Sequence, residues 1–186
     1  MAVSLTKGQN APLAAGLTNI LVGLGWDPRS DAGDAFDLDA SCFLLGANGK
    51  VRSSRDLVFY KQQQPWGDAI VYGVDNKTGV VDGDDETFVI DLAQIADDVE
   101  KLVFTVTIYK ATERRQNFGM VDSAFIRVVD KALDNELARF DLTHDARSEK
   151  ALVFGELYRR DGAWRFRALG DGFDGELQDL ARHFGI

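Results

Sequence analysis

The chain has 186 residues, 45% of them apolar and 10% aromatic, which suits one folded domain over residues 1–186 rather than a disordered chain. A net charge of −9 and a pI near 4.7 argue against a nucleic-acid ligand, which needs a basic face, and against direct adsorption to an anionic membrane. No apolar run nears the ~20 residues of a membrane span, the N-terminal stretch lacks the charged-then-apolar pattern of a signal peptide, and a single cysteine, Cys42, allows no intrachain disulfide; together these point to a soluble, cytoplasmic protein.

In chain order the sequence reads as a succession of short strands. "NILVGLGW" (19–26) is the first clear one, followed by "FDLDASCFLL" (36–45) and a turn with Asn48-Gly49 at its tip. "LVFY" (57–60), "AIVYGV" (69–74), "ETFVIDL" (86–92) and "KLVFTVTIY" (101–109) come next. "AFIRVVD" (124–130), "ELARFDL" (136–142), "KALVFGELYRR" (150–160) and "AWRFRALG" (163–170) complete the series, the last two joined through Asp161-Gly162, a hairpin signal. In "AWRFRAL" Trp164, Phe166 and Ala168 alternate with Arg165 and Arg167, the period-two pattern of a half-buried strand. Short strands rich in Val, Ile and Phe imply a mainly β protein, a sandwich or a barrel. "DLAQIADDVE" (91–100) is ambiguous between helix and turn. "DGELQDLARHF" (174–184) predicts a short C-terminal helix with Leu177, Leu180, Ala181 and Phe184 on one face, Asp174 as its cap and Gly185 at its end.

Most catalytic signatures fail on spacing. "GDGFDG" (170–175) has the glycines of a dinucleotide turn, but only eleven residues follow, too few for a second parallel strand. "GANGKV" lacks phosphate-loop spacing, and no G-x-S-x-G occurs. His144 and His183 have no zinc-like partner spacing, and Cys42 lies in an apolar string as a small buried hydrophobe. "RRQNFG" (114–119) reads as a structural turn or, less simply, as an anion site.

The acidic segments carry the chemistry. In "DNKTGVVDGDDE" (75–86), six of the twelve residues are Asp, Asn or Glu. The outline is that of an EF-hand loop, but Lys77, Gly79 and Val80 stand where ligands and the invariant glycine belong, and the flanks are strands. It is an acidic loop between strands. Its oxygen donors, Asp75, Asn76, Asp82, Asp84, Asp85 and Glu86, suit Ca²⁺ better than Mg²⁺ or a soft metal, and Gly83 lets the chain turn between them. On the strand "FDLDAS", Asp37 and Asp39 share one face about 6.5–7 Å apart, while Phe36, Leu38 and Ala40 face the core. These two carboxylates are either further ligands or the wet side of an edge strand.

"FDLDASCFLLGANGKVRS", "DNKTGVVDGDDE", "RRQNFGMVDSAFIRVVD" and "ALVFGELYRRDGAWRFRALGDGF", taken in order, resemble the tellurium-resistance TerD family over nearly the whole chain. The resemblance implies a β-sandwich of two antiparallel or mixed sheets that binds Ca²⁺ in acidic loops. It also implies a cytoplasmic role in bacterial resistance to tellurite and other chemical stress, with sibling resistance proteins and an inner-membrane partner at the inner face of the membrane; no catalytic mechanism comes with it, and the lack of a catalytic constellation points to a non-catalytic module. Its acidic motif falls on Asp75, Asn76, Asp82, Gly83, Asp84, Asp85 and Glu86, and its "DLDAS" strand on Asp37 and Asp39. The chain departs from the family pattern at Val80 and Val81, where an acidic residue and a glycine are common; one potential ligand is lost. Two other functions fit the composition: a metal-dependent or redox enzyme acting on a small oxyanion, and a calcium-dependent carbohydrate- or lipid-binding sandwich using Trp26 and Trp66.

Overall fold

The computed structural model describes residues 2–28, 37–73, 83–142 and 148–186. Strands β1 (Val3–Leu5), β2 (Asn10–Pro12), β3 (Asn19–Pro28), β4 (Leu38–Leu45), β5 (Leu57–Val58), β6 (Ile70–Gly73), β7 (Glu86–Asp91) and β8 (Lys101–Ile108) precede the one-turn helix α1 (Ala111–Arg114). Strands β9 (Val121–Asp130), β10 (Asn135–Asp141), β11 (Ala151–Arg160) and β12 (Ala163–Phe173) follow, and helix α2 (Leu177–Phe184) comes last. The strands form two six-stranded sheets, β1-β10-β9-β3-β7-β6 and β2-β12-β11-β8-β4-β5. The first is mixed, because β1 runs parallel to β10; the second is antiparallel throughout.

Alternation along the strands builds the core. Ile20, Val22 and Leu24 of β3, Phe88 and Ile90 of β7, and Ile126 and Val128 of β9 face Leu38, Ala40, Cys42 and Leu44 of β4 and Leu102, Phe104 and Val106 of β8 in one apolar cluster. Phe88 meets Phe104 across the two sheets at 5.5 Å between ring centroids. Phe43, Leu45, Leu57 and Val103 project from the opposite side of the second sheet, where α2 covers them with Leu180 and Phe184. The helix therefore closes a second, smaller core, and Phe43 and Phe184 sit 4.6 Å apart in it.

Local signals behave largely as the sequence implies. Asp161 and Gly162 both take positive φ, 52° and 75°, the twist of a two-residue hairpin, and Arg160 pairs with Ala163 across it. The cap of α2 is Glu176 rather than Asp174: Glu176 and Asp179 satisfy each other's backbone N–H groups in a capping box, and Asp174 pairs with Lys150 at 3.4 Å. The ambiguous segment after β7 is a run of turns, opened by the Asp91 carboxylate accepting the Ala93 N–H. "RRQNFG" is a structural turn, with Asn117 capping the 3₁₀ turn Phe118–Met120.

Candidate functional site

The acidic segment enters the fold at the end of β7, beside β3. There the two sheets come together at one end of the sandwich. Gly83, at φ 109°, turns the chain in a region of backbone space that favours glycine. Asp85 then docks on β3 through both backbone and side chain: its N–H donates to the Leu24 carbonyl at 2.9 Å, and its Oδ2 accepts the Trp26 N–H at 2.7 Å.

Glu86 shares the inward face of β7 with Phe88 and Ile90 and reaches the other sheet. Its Oε2 accepts the Ala40 N–H of β4 at 2.5 Å. Among the described residues β5 pairs with β4 at Cys42 and Phe43 and does not extend to Ala40, which leaves that donor to Glu86. Tyr72 of β6 adds its hydroxyl as a second donor to Glu86. Burial above all, with the nearby Asp39 and Asp85 carboxylates, pushes the Glu86 carboxyl up to about 7 against the lowering by its two donors. Burial and the Glu86 charge push the Tyr72 phenol far above its ordinary range, so it remains a donor.

Asp39 lies on the β4 face opposite Leu38 and Ala40, as alternation requires. Burial raises its carboxyl, Asp37 raises it further, and Lys61 draws it back. Asp85, whose side chain is largely exposed, is raised by partial burial, with the Trp26 N–H opposing the effect and Asp27 adding to it. Asp37, Asp39, Glu86, Asp85 and Asp27 thus form a seam of carboxyls from one sheet to the other. Most of its members lean electrostatically on the next.

Asp84 stands apart. It lies on the outer face of the first sheet, over Gly23, where an added Cβ would fall on its carboxylate. Arg127 of β9, in register with Gly23, grips it with two bonds, Nε to Oδ1 at 2.9 Å and Nη2 to Oδ2 at 3.2 Å. Burial raises the Asp84 carboxyl while Arg127 draws it down. Of the sequence-derived site residues, the fold therefore brings Asp37, Asp39, Asp85 and Glu86 to one seam, with Gly83 at its entry, and turns Asp84 away. Asp75, Asn76 and Asp82 lie outside the described residues. Among the described residues no three carboxylates converge closely enough to make a ligand set by themselves.

Sequence reading missed Arg127, Tyr72 and Lys61. The signal for Arg127 was the pair Gly23 and Gly25 inside a strand, which marks a close approach of another group. The tryptophans are packing residues: Trp26 lies against the core, and Trp66 carries Arg55 and Arg52 over its ring at 4.4 and 5.3 Å. Cys42 is fully buried, and burial alone pushes its thiol well above the ordinary range. His183 packs edge-on against Phe173 and Phe184, and His144 lies outside the described residues. A groove of about 840 Å³ opens beside Asp39 along α2, lined by Tyr60, Lys61, Tyr109, Lys150 and Glu176. Two of its charged groups are engaged, Lys150 with Asp174 and Glu176 with the Thr112 N–H at 3.1 Å.

Comparison with known proteins matches residues 1–184 to the TerD domain. The chain is 51% identical over 189 residues to a tellurium resistance protein TerD from an Alcaligenes species, covering all of this chain and 98% of that one. It is 43% identical to general stress protein 16U of Bacillus subtilis, again covering all of this chain and 98% of the relative. A crystal structure of a TerD homologue from Streptomyces coelicolor, 23% identical, superposes with a TM-score of 0.68 over 89% of this chain and 96% of that one, which shows a shared fold. With a matching domain and a close relative that both run nearly end to end, the chain belongs to the TerD family.

Proposed function

We propose that the protein is a calcium-binding, non-catalytic interaction module serving bacterial resistance to tellurite and other chemical stress. One observation carries the reading: Glu86 bridges the two sheets within a seam of carboxyls, and Asp39, Asp85 and Glu86 in it are raised by burial and by acidic neighbours. Positive charge arriving there would favour the ionised form of all three. The donors are all oxygen, with no thiolate or imidazole among them, which suits a hard cation and favours calcium's tolerant coordination. Asp39, Asp85 and Glu86 would hold the ion, joined by Asp37 and by Asp75, Asn76 and Asp82 of the same acidic segment. When bound, the ion supplies the charge that offsets their repulsion and ties the two sheets together at this end.

The names of the relatives, tellurium resistance and general stress, support the stress role. The buried, raised thiol of Cys42 offers no reactive thiolate, which supports a non-catalytic reading. The proposed partners are sibling resistance proteins and an inner-membrane protein, met in the cytoplasm at the inner face of the membrane. No helix among the described residues is long and apolar enough to cross one.

Titration calorimetry of metal-free protein with Ca²⁺ and Mg²⁺, paired with thermal melts, tests the metal reading. Calcium at a hundredfold excess over its Kd should stabilise the fold by about 2.7 kcal/mol, roughly 5–10 °C for a domain of this size. Magnesium should do little. Equal responses to both ions, or no response to either, rule out selective calcium binding. A pull-down with and without calcium tests the partner reading, which an ion-independent result would remove.

A further inference from the structure

We infer that Arg127 is a positioning residue for the cation seam and that Asp84 is its anchor rather than a cation ligand. The inference deepens the calcium reading and rests on it for its functional half.

The geometry divides the acidic motif by face. Arg127 projects outward from β9 between the buried Ile126 and Val128, and it pairs across the ladder with Gly23. Asp84 therefore meets it on the outer side of the first sheet. Glu86, two residues on, points inward and reaches β4 of the other sheet. A cation seated on Glu86 has Asp84 behind the backbone of the sheet. The Asp84 side chain is only 2% exposed and that of Arg127 14%, and Arg127 reaches a second carboxylate, Glu136, at 3.3 Å. Drawing Asp84 to a metal would strand a buried guanidinium beside one remaining acid, the situation that makes breaking a buried pair so costly.

The sheet is shaped for this contact. Gly23 leaves the space that the Asp84 carboxylate fills, and Gly25 leaves space for the Phe125 ring and the Gly83 carbonyl. Arg139, in register with Arg127 on β10, stacks over the Phe125 ring at 3.9 Å and pairs with Asp141 at 2.9 Å. The chain from Gly83 to Asp85 is thereby pinned on the first sheet at three places: Gly83 against Gly25 of β3, Asp84 in the fork of Arg127 on β9, and Asp85 on Leu24 and Trp26 of β3. Pinning Asp84 fixes where Asp85 and Glu86 emerge. Arg127 acts on the ion through them, without touching it.

Three variants test this: Arg127→Met, Asp84→Leu, and the double variant, which replaces the ion pair by two apolar side chains of similar size. Such replacements of a buried pair are often neutral or stabilising, so the double variant is expected to fold. Each is titrated with Ca²⁺ well below its unfolding midpoint, and amide hydrogen exchange is followed at Asp85 and Trp26 in the metal-free state. Arg127→Met should weaken calcium by at least about tenfold, as loss of a group supporting metal ligands does, and should speed exchange at both amides. The double variant should return calcium affinity to within about threefold of wild type. A general loss of stability would lower the melting point without moving the affinity of the folded protein. A folded double variant that binds no calcium would make Asp84 a ligand, and wild-type affinity in Arg127→Met would remove the positioning role; either result overturns the inference. Should wild type bind no calcium, the calcium reading fails by itself, and the exchange rates decide the anchor: unchanged exchange at Asp85 and Trp26 in Arg127→Met overturns it.

Discussion

Replacing Glu86 by glutamine in metal-free protein isolates the electrostatic cost of the seam. The folded chain holds the Glu86 carboxyl at about 7, against an ordinary value of 4.5. A raised carboxyl pKa means that the folded state binds the proton more tightly than the unfolded chain does. Its stabilising effect is complete below the unfolded value and is lost as pH rises through the folded one, so the window is roughly pH 4.5 to 8. At 1.36 kcal/mol per pKa unit, the displacement corresponds to roughly 3 kcal/mol of stability lost between those limits. Asp39 and Asp85 are displaced in the same direction and add to the slope. Glutamine keeps an oxygen for the Ala40 N–H and carries no charge. The variant should therefore match wild type near pH 5 and exceed it at pH 8 by about 2–3 kcal/mol, or roughly 4–12 °C in melting point. With saturating calcium the order should reverse, because wild type regains a ligand that the variant lacks. Urea unfolding in EDTA at pH 5, 6, 7 and 8 measures the first half, and the same series in calcium the second. A wild-type profile that is flat or rising from pH 5 to 8, with the variant running parallel, would refute the assignment of buried, uncompensated charge to Glu86.

Gly25→Ala places a methyl group against the Phe125 ring and 2.5 Å from the Gly83 carbonyl; it should cost about 1–3 kcal/mol in urea unfolding, as overpacking does, and weaken calcium with it, whereas wild-type stability would show that the sheet yields there. Cys42, with no exposure, should resist iodoacetamide in the native protein and react only on unfolding; fast native labelling would reopen a redox activity.

Much of the fold is legible in local pattern. The alternation in "AWRFRAL" buries Phe166 and Ala168 and leaves Arg165 and Arg167 on the wetter face, as the period of two requires. The apolar stripe of α2 meets the second sheet through Leu180 and Phe184, as the helical spacing implies. The two three-residue strands β1 and β2 escape such reading, because three residues carry no period and their pairing with β10 and β12 is set by contacts more than a hundred positions away. The helix cap shifts from Asp174 to Glu176 because a reciprocal bond with Asp179 satisfies two backbone donors, whereas Asp174 is drawn to Lys150. The site is legible as composition but not as geometry. Asp84, Asp85 and Glu86 look equivalent in the sequence, and the partner that separates them, Arg127, lies some forty residues on, in a register that only the sheet defines.

That separation bears on how acidic runs beside β-strands should be counted. Only Glu86 lies in β7; Asp84 and Asp85 precede it in a bend that turns Asp84 to the outer face while Asp85 and Glu86 stay on the seam, so neighbouring acids at a strand end need not share one ion. The outward members need another counter-charge, and the inward members need donors or a cation. Here Asp84 has the guanidinium of Arg127, and Asp39 has Lys61 nearby. Among the described residues, Asp85 and Glu86 have the neutral donors of Trp26, Ala40 and Tyr72 and no cation partner. Neutral donors lower a carboxyl's pKa, yet both carboxyls stay raised, so hydrogen bonding has not offset their burial. The charge left unmatched by protein groups is therefore smaller than the acidic run suggests, and it sits where the two sheets meet. A divalent ion placed there would neutralise Asp85 and Glu86 together and leave the Arg127 pair undisturbed.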